Sequence, residues 1–398
     1  MKPIWRIALV LVAFGCVLVA LWGIAHLFTA NSLFARSIAW LDSDVRDYER
    51  FPKRAILNAP PVFEFLSPGS TENQLYAPVF ETITFTRRDG VTKTENLDQF
   101  LEKNNTAAFI VIKDDILLYE RYFNGYNHDS IVTSFSVAKS FGSALVGIAI
   151  SEGLIHSLED PLTKYIPELS QKDPRFQEIR LRHLVSMSSG IHYAEIGLPW
   201  SDDAATYYAP DLRKVALSSF IDRPPGEEFL YNNFHPLLIG MVLERVSGMP
   251  VAEYLQEKIW KPLGMEAPGS WSLDSERSGF EKMESGLNAR AIDFARFGRL
   301  YLNSGNWNGV QIIPGSWVAE STGLDTTTDP VDFYQYFWWV DTKNPARHAF
   351  YAAGKHGQYI YVVPGQNLLI VRFGKTDPLG IFPQVFGTIT DKITAVAR

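Results

Sequence analysis

The chain of 398 residues carries a formal net charge of −7, is 46% hydrophobic and 20% charged, and holds a single cysteine. This is the composition of a globular protein, long enough for about two or three domains or one large domain with an insertion. One cysteine excludes an intrachain disulfide framework, a Cys-rich zinc site and an iron–sulfur cluster, and the acidic balance argues against a nucleic-acid partner, which requires a basic face.

The first element is an apolar run at residues 7–28 (IALVLVAFGCVLVALWGIAHLF), preceded by Lys2 and Arg6, with Arg36 the next basic residue. As a helix rising about 1.5 Å per residue it reaches roughly 33 Å, enough for a bilayer core. The expectation for residues 1–30 is an uncleaved N-terminal transmembrane helix, with the short N-terminus cytoplasmic and the remainder outside by positive-inside bias. A cleaved signal peptide is the alternative, although its apolar stretch would be only about 7–15 residues and Ala25-His26-Leu27 makes a poor cleavage site.

Residues 31–96, with Pro52, Pro60, Pro61, Pro68 and Pro78, read as a linker and a short ordered preface in which 80–86 (FETITFT) alternates as a strand. Residues 107–113 (AAFIVIK) and 116–123 (ILLYERYF), separated by Asp114-Asp115, predict a β-hairpin. Residues 134–150 (SFSVAKSFGSALVGIAI) are apolar on nearly every face, as a helix buried inside a domain would be. From Glu152 to about Ser304 the periodicity is mostly helical, clearest over 236–246, 251–260 and 289–302. Strands return at 334–340, 359–363 and 367–374, and 384–396 predicts a closing helix. The implied fold class is α/β (α+β). An antiparallel sheet built from N- and C-terminal segments is flanked by helices, in a domain spanning 97–398 with a mostly helical insertion at about 152–304. A functional site would lie at the seam of the two parts.

Three groups of residues bear on chemistry. Ser136-Val137-Ala138-Lys139 is the only S-x-x-K in the chain. Helix positions three apart share a face, so the amine lies beside the hydroxyl. A hydroxyl becomes a nucleophile when a base takes its proton, and burial of a lysine favours the neutral amine that can do so. Free N–H groups at a helix start also favour a developing oxyanion. Such a tetrapeptide arises about once by chance in a chain this long, and the bland reading is a buried serine beside an unrelated lysine. Its place at the head of an apolar helix, after a hairpin, sets it apart. Tyr231-Asn232-Asn233 follows Pro225-Gly226-Glu227-Glu228-Phe229-Leu230. Near an ammonium a phenol can exchange protons, and Asn233 offers an amide to Lys139 or to a substrate carbonyl. Alone, this tyrosine is more often a packed aromatic. Ala353-Gly354-Lys355-His356-Gly357-Gln358 enters the strand at 359–363. Glycine there lets a substrate approach the backbone closely, and an N–H could complete an oxyanion hole with that of Ser136. The competing reading is a plain glycine turn.

Together these motifs resemble the serine β-lactamase and penicillin-binding superfamily. The Tyr-x-Asn form, PGEEFLYNN and HLVSMSSGI (183–191) resemble its class C β-lactamase-like branch of esterases, D-amino-acid peptidases and amidases. GKHGQYIYVVPGQNLLIVRFG (354–374) is similar to the 6-aminohexanoate-oligomer hydrolases and related carboxylesterases. The resemblance runs from about Leu97 to the end. It implies that Ser136 is the acylated nucleophile, Lys139 its proton partner, Tyr231 a second base or acid, and Asn233 a supporting polar group. Two registers fit the third motif. One reads Lys355-His356-Gly357 as K-T-G with His for Thr; the other sets Ala352-Ala353-Gly354 there and makes the Lys355 N–H the oxyanion donor. The spacing from Gly354 to Pro364 favours the second. Either way the Thr hydroxyl that grips a β-lactam carboxylate is missing, which speaks against efficient β-lactamase activity.

The eight histidines form no H-x-H or H-E-x-x-H, so no metal is expected, and the proposed chemistry needs no cofactor. Tyr193, Trp200, Tyr207 and Tyr208 either line an acyl pocket or pack their own loop. G-x-S-x-G is absent, which argues against an α/β-hydrolase elbow. The expectation is a serine hydrolase tethered to a bacterial inner membrane with its catalytic domain periplasmic or extracellular, cleaving a small ester, amide or peptide. A penicillin-binding D-alanyl-D-alanine carboxypeptidase or β-lactamase is the rival among enzymes. A non-catalytic membrane-tethered ligand sensor is the rival of another class.

Overall fold

The computed structural model describes residues 4–29, 32–323, 331–377 and 380–397. In chain order its principal elements are α1 (Ile4–Thr29), α2 (Leu33–Trp40), β1 (Lys53–Ile56), β2 (Thr106–Lys113), β3 (Ile116–Tyr122), β4 (Ile131–Thr133), α3 (Val137–Ser151), α4 (Phe234–Ser247), β5 (Gly269–Ser272), β6 (Leu287–Arg290), α5 (Ala291–Leu302), β7 (Tyr334–Gln335), β8 (Trp338–Val340), β9 (Phe350–Gly354), β10 (Gln358–Val363), β11 (Leu368–Gly374) and α6 (Phe382–Val396).

An antiparallel seven-stranded sheet runs β7-β8-β9-β10-β11-β2-β3. The N-terminal hairpin joins the C-terminal strands along β2 and β11, where Ile370 faces Val111 and Leu368 faces Lys113. Both strands read as nearly continuous apolar runs because both faces are covered. Ala108, Ile110, Ile112, Leu369 and Val371 enter one core with Phe141 of α3, Leu237 of α4 and Phe294 of α5. Phe109, Val111, Leu368 and Ile370 enter a second with Phe382, Val385 and Phe386 of α6. Each such side chain, fully buried, contributes roughly 1.5–3 kcal/mol relative to exposure. On α5, Gly298 lets the helix lie close to the sheet, since a Cβ there would stand 2.5 Å from a Leu369 methyl. A smaller sheet, β1-β5-β6-β4, ends beside the head of α3. The expected layered α/β arrangement with an antiparallel sheet is thus present.

Several local readings differ. Residues 334–340, expected as one strand, form the pair β7–β8, because Tyr336 and Phe337 turn the chain with φ of 36° and 67°. The turn is bonded elsewhere: the Phe337 N–H donates to the Val185 carbonyl (3.0 Å) and the Ser140 hydroxyl to the Phe337 carbonyl (2.8 Å). The helix expected at 251–260 is α-helical over Val251–Leu255 and then widens to a π-turn at Gln256–Trp260. Residues 287–290 are strand, so the helix expected from 289 begins at Ala291. The insertion therefore contributes β5 and β6 as well as helices. Much of the segment expected as linker and preface is built into the body: β1 pairs with β5, Lys53 facing Ser272, and Thr82–Thr86 pairs with Thr92–Asn96.

The expected transmembrane span is not supported. The apolar run is helical from Ile4 to Thr29, but its side chains are described only for residues 9–24. Among the described residues no helix is long and apolar enough to cross a membrane.

Candidate active site

The site begins where β4 hands over to α3. The Ser134 N–H donates to the Leu287 carbonyl at 2.8 Å, and the Ser134 hydroxyl to the carbonyls of Phe135 (3.0 Å) and Ser285 (3.2 Å). Phe135 has φ of 43°, in the left-handed region that residues other than glycine seldom occupy. Ser136 follows at the helix cap with φ −64° and ψ −6°. The N–H groups of Val137, Ala138 and Lys139 donate to the carbonyls of Ser134, Phe135 and Ser136. Among the described residues the Ser136 N–H donates to no backbone carbonyl, so it is free to meet an oxyanion.

Lys139 is 1% exposed. Its Nζ donates to Ser136 Oγ at 2.8 Å and to the Glu284 carbonyl at 3.0 Å. It also stands 4.9 Å from the centroid of the Tyr231 ring, a cation–π placement. Among the described residues no carboxylate pairs with it. The half-buried Tyr231 ring stacks on Trp339 (5.9 Å, 25°) and meets Tyr334 edge-on (5.9 Å, 83°). Its hydroxyl makes no hydrogen bond to Ser136 or Lys139 among the described residues.

The run at 183–191 scaffolds this tyrosine. The Leu230 N–H donates to the Met187 carbonyl (2.8 Å) and Asn232 Nδ2 to the Ile191 carbonyl (3.0 Å). His235 Nδ1 donates to the Met187 sulfur (3.0 Å), an acceptor only, so Nε2 accepts from the Ser189 hydroxyl (2.6 Å). Burial pushes the His235 pKa down to about 3. Gly190, at φ 73°, lies so close to Arg223 that a Cβ would stand 2.1 Å from its carbonyl oxygen. Asn233 does not hold Lys139: its Nδ2 donates to the Tyr193 hydroxyl at 2.8 Å, while its Oδ1 is buried without a partner among the described residues.

Gly354 ends β9 against Ser136. A Cβ there would lie 2.4 Å from the Ser134 carbonyl oxygen and 3.1 Å from the Ser136 nitrogen. Lys355, His356 and Gly357 form the turn into β10, with Gly354 facing Gln358. Lys355 Nζ pairs with Asp42 Oδ1 (2.5 Å), and His356 Nε2 donates to the Ser43 carbonyl (2.8 Å). The Ala352-Ala353-Gly354 register thus lies beside Ser136, and the Lys355-His356-Gly357 register lies in the turn.

Sequence reasoning missed two supports. Arg372, wholly buried in β11, donates through Nη1 to the Gly357 (2.6 Å) and His356 (3.2 Å) carbonyls and through Nη2 to that of Asn104 (2.9 Å). Burial lowers its pKa to about 10. An arginine inside NLLIVRFG was the available signal, since a buried guanidinium needs every donor satisfied. Glu284 offers its carbonyl to Lys139 and its carboxylate to Lys282 (2.9 Å), a pair 1% and 2% exposed; no sequence pattern marked it. Tyr207 stacks on Phe135 (6.4 Å, 15°), and Tyr208 meets Trp40 edge-on (6.0 Å, 73°). Trp200 is exposed. Among the described residues no cluster of three or more His, Cys, Asp or Glu could hold a metal.

Known proteins share this fold. The β-lactamase family matches residues 94–380. The chain belongs to that family of hydrolases, within the serine β-lactamase and penicillin-binding superfamily. Over 306 residues it is 27% identical to a 6-aminohexanoate-dimer hydrolase of Paenarthrobacter ureafaciens, covering 71% of this chain and 75% of that one. A structure from Bacillus anthracis, described provisionally as a 6-aminohexanoate-dimer hydrolase, superposes with a TM-score of 0.76 at 27% identity, over 89% of this chain and 95% of that one. A penicillin-binding protein from Bacillus halodurans shares the fold, with a TM-score of 0.59 at 17% identity over 76% and 99% of the two chains.

Proposed function

We propose that the protein is a serine hydrolase of the class C β-lactamase-like branch that cleaves an ester or amide through an acyl-enzyme on Ser136. The observation that carries this is the Lys139 amine, buried and 2.8 Å from the Ser136 hydroxyl, with a phenol ring over it and no carboxylate to pin it as a fixed charge. Ser136 Oγ attacks the carbonyl carbon and its proton passes into the Lys139–Tyr231 pair. The N–H groups of Ser136 and Lys355 receive the oxyanion beside Gly354. The proton returns to the leaving alkoxide or amine as the carbon–leaving-group bond breaks. Water, deprotonated by the same pair, then splits the acyl ester and releases the acid. Asn233 acts at one remove, orienting Tyr193 at the edge of the site.

Similarity to the 6-aminohexanoate-dimer hydrolase favours amides and esters with flexible linear acyl chains over β-lactams, in keeping with the missing Thr of the third motif. Activity profiling on p-nitrophenyl esters, short linear amides and nitrocefin tests this. Turnover of the first two with little nitrocefin hydrolysis is expected, and Ser136→Ala should abolish turnover and fluorophosphonate labelling together. Unchanged turnover in Ser136→Ala would defeat the assignment.

A tether in a bacterial inner membrane, with the catalytic domain outside the cytoplasm, is part of the same reading. Its support is that Leu9, Leu11, Phe14, Leu18 and Leu21 of α1 are all exposed, a surface that needs an apolar surrounding. Carbonate-resistant membrane association, together with protease access to the domain in spheroplasts, is the expected result.

A further inference from the structure

We infer that residues 41–51, which lie outside the family-matched span, are a positioning strap for acylation: they hold the turn after Gly354 and the strained residue before Ser136 in register with each other. This rests on the reading of Ser136 as the nucleophile.

Phe135 keeps a φ of 43°, a conformation that persists only where its surroundings over-determine it. Its ring is held between two others, stacked on Tyr207 (6.4 Å, 15°) and edge-on to His356 (5.1 Å, 70°). The segment at 41–51 grips both. The Ser43 carbonyl accepts from His356 Nε2 at 2.8 Å, which requires the proton on that nitrogen. Asp47 Oδ2 accepts from the Tyr207 hydroxyl at 2.9 Å and from the Asp44 N–H at 2.9 Å, so one carboxylate shapes the 42–44 turn and anchors the ring. Asp47 is 2% exposed, and its Oδ1 accepts from Arg50 at 2.9 Å. The exposed Lys355–Asp42 pair adds little by itself. On its inner side the same turn is bonded by Arg372 through the His356 and Gly357 carbonyls. The turn is therefore clamped from both sides, and the outer clamp comes from a segment some three hundred residues earlier in the chain.

His356 and Asp47 are positioning residues on this view, and they should act on the acylation step rather than on substrate binding. The test uses the full chain, a fluorophosphonate probe and a p-nitrophenyl ester. His356→Ala should slow Ser136 labelling and kcat about tenfold with KM changed less than about threefold. His356→Gln, which restores a donor at the Nε2 position, should recover most of the rate. Asp47→Ala should show the same kcat-selective loss, and the double variant should be no slower than the slower single variant, because both loosen one clamp. If Asp47→Ala does not fold, Tyr207→Phe, which deletes the hydroxyl and keeps the ring, takes its place. Wild-type labelling rates in His356→Ala, a His356→Gln as slow as His356→Ala, or a multiplicative double variant would each overturn the strap. Wild-type protein that turns over esters without labelling at Ser136 would instead sink the hydrolase reading on which it rests.

Discussion

Two lysines in this molecule are equally hidden, at 1% exposure, and differ in their company. Lys282 has a carboxylate, Glu284, at 2.9 Å, and lies over the rings of Tyr207 (4.0 Å) and Phe51 (4.5 Å). Lys139 has a hydroxyl, a carbonyl and one ring. A single residue joins them, since Glu284 gives its carbonyl to one and its carboxylate to the other. A buried ammonium beside a carboxylate is a fixed ion pair, costly to break from one side. The Lys139 amine has no such carboxylate among the described residues and is held by a hydroxyl and a carbonyl. On the proposed reading, the partner set and not burial separates a structural lysine from a chemical one.

Exchanging each lysine for methionine should split the two roles. Lys139→Met should lower kcat/KM by at least about 10³, with the smaller loss of melting temperature. Lys282→Met leaves Glu284 buried and unpaired and should cost about 3–5 kcal/mol of stability, while kcat per folded molecule stays within about threefold. Adding Glu284→Gln should return much of that stability, as urea melts of the double variant would report. If Lys282→Met lost activity without losing stability, the division would be wrong.

Smaller effects sharpen the catalytic side. Tyr231→Phe keeps the ring over Lys139 and removes only the phenol oxygen, so on the proposed reading it should reduce kcat by about 10²; no change would leave Tyr231 as packing. Gly354→Ala would place a methyl 2.4 Å from the Ser134 carbonyl oxygen. By pushing Gly354 and the turn after it away from Ser136 it should reduce kcat by about 10² with KM less affected. The remaining effect, on the structural side, is a dependence of stability on pH. Unfolded His235 takes a proton near its ordinary pKa of about 6.5, whereas in the folded protein burial keeps it neutral down to about 3. Between these values the unfolded state binds more protons, so stability falls as pH drops through about 6.5 and is level above it. His183, lowered to about 4 mainly by burial, adds the same sign. Melting temperature against pH should show this slope, and His235→Gln should flatten part of it.

The central strands and the pairing of Ser136 with Lys139 were legible because each is local. The strands at 107–113 and 367–374 are runs covered on both faces, and Ser136 and Lys139 share one helical turn. Tyr231 and Gly354 were singled out through motif and resemblance, but the approach of Tyr231 to Lys139 and of Gly354 to Ser136 is long-range geometry. What escaped depends on backbone and side-chain bonds that leave no periodic trace. The turn at Tyr336 and Phe337 hides in an aromatic run that reads as one strand. Asn233 turns to Tyr193 because the Tyr193 hydroxyl lies within reach, and proline spacing in 31–96 suggests a linker although Lys53–Ile56 finds a sheet edge to pair with.

The most direct test of the central claim is to locate the covalent intermediate. Brief incubation with a slowly turned-over ester, acid quench and peptide mass spectrometry should find the acyl group on the peptide containing Ser136, absent in Ser136→Ala and greatly reduced in Lys139→Met. Rapid turnover with no adduct on Ser136, or an adduct on another residue that persists in Ser136→Ala, would contradict it.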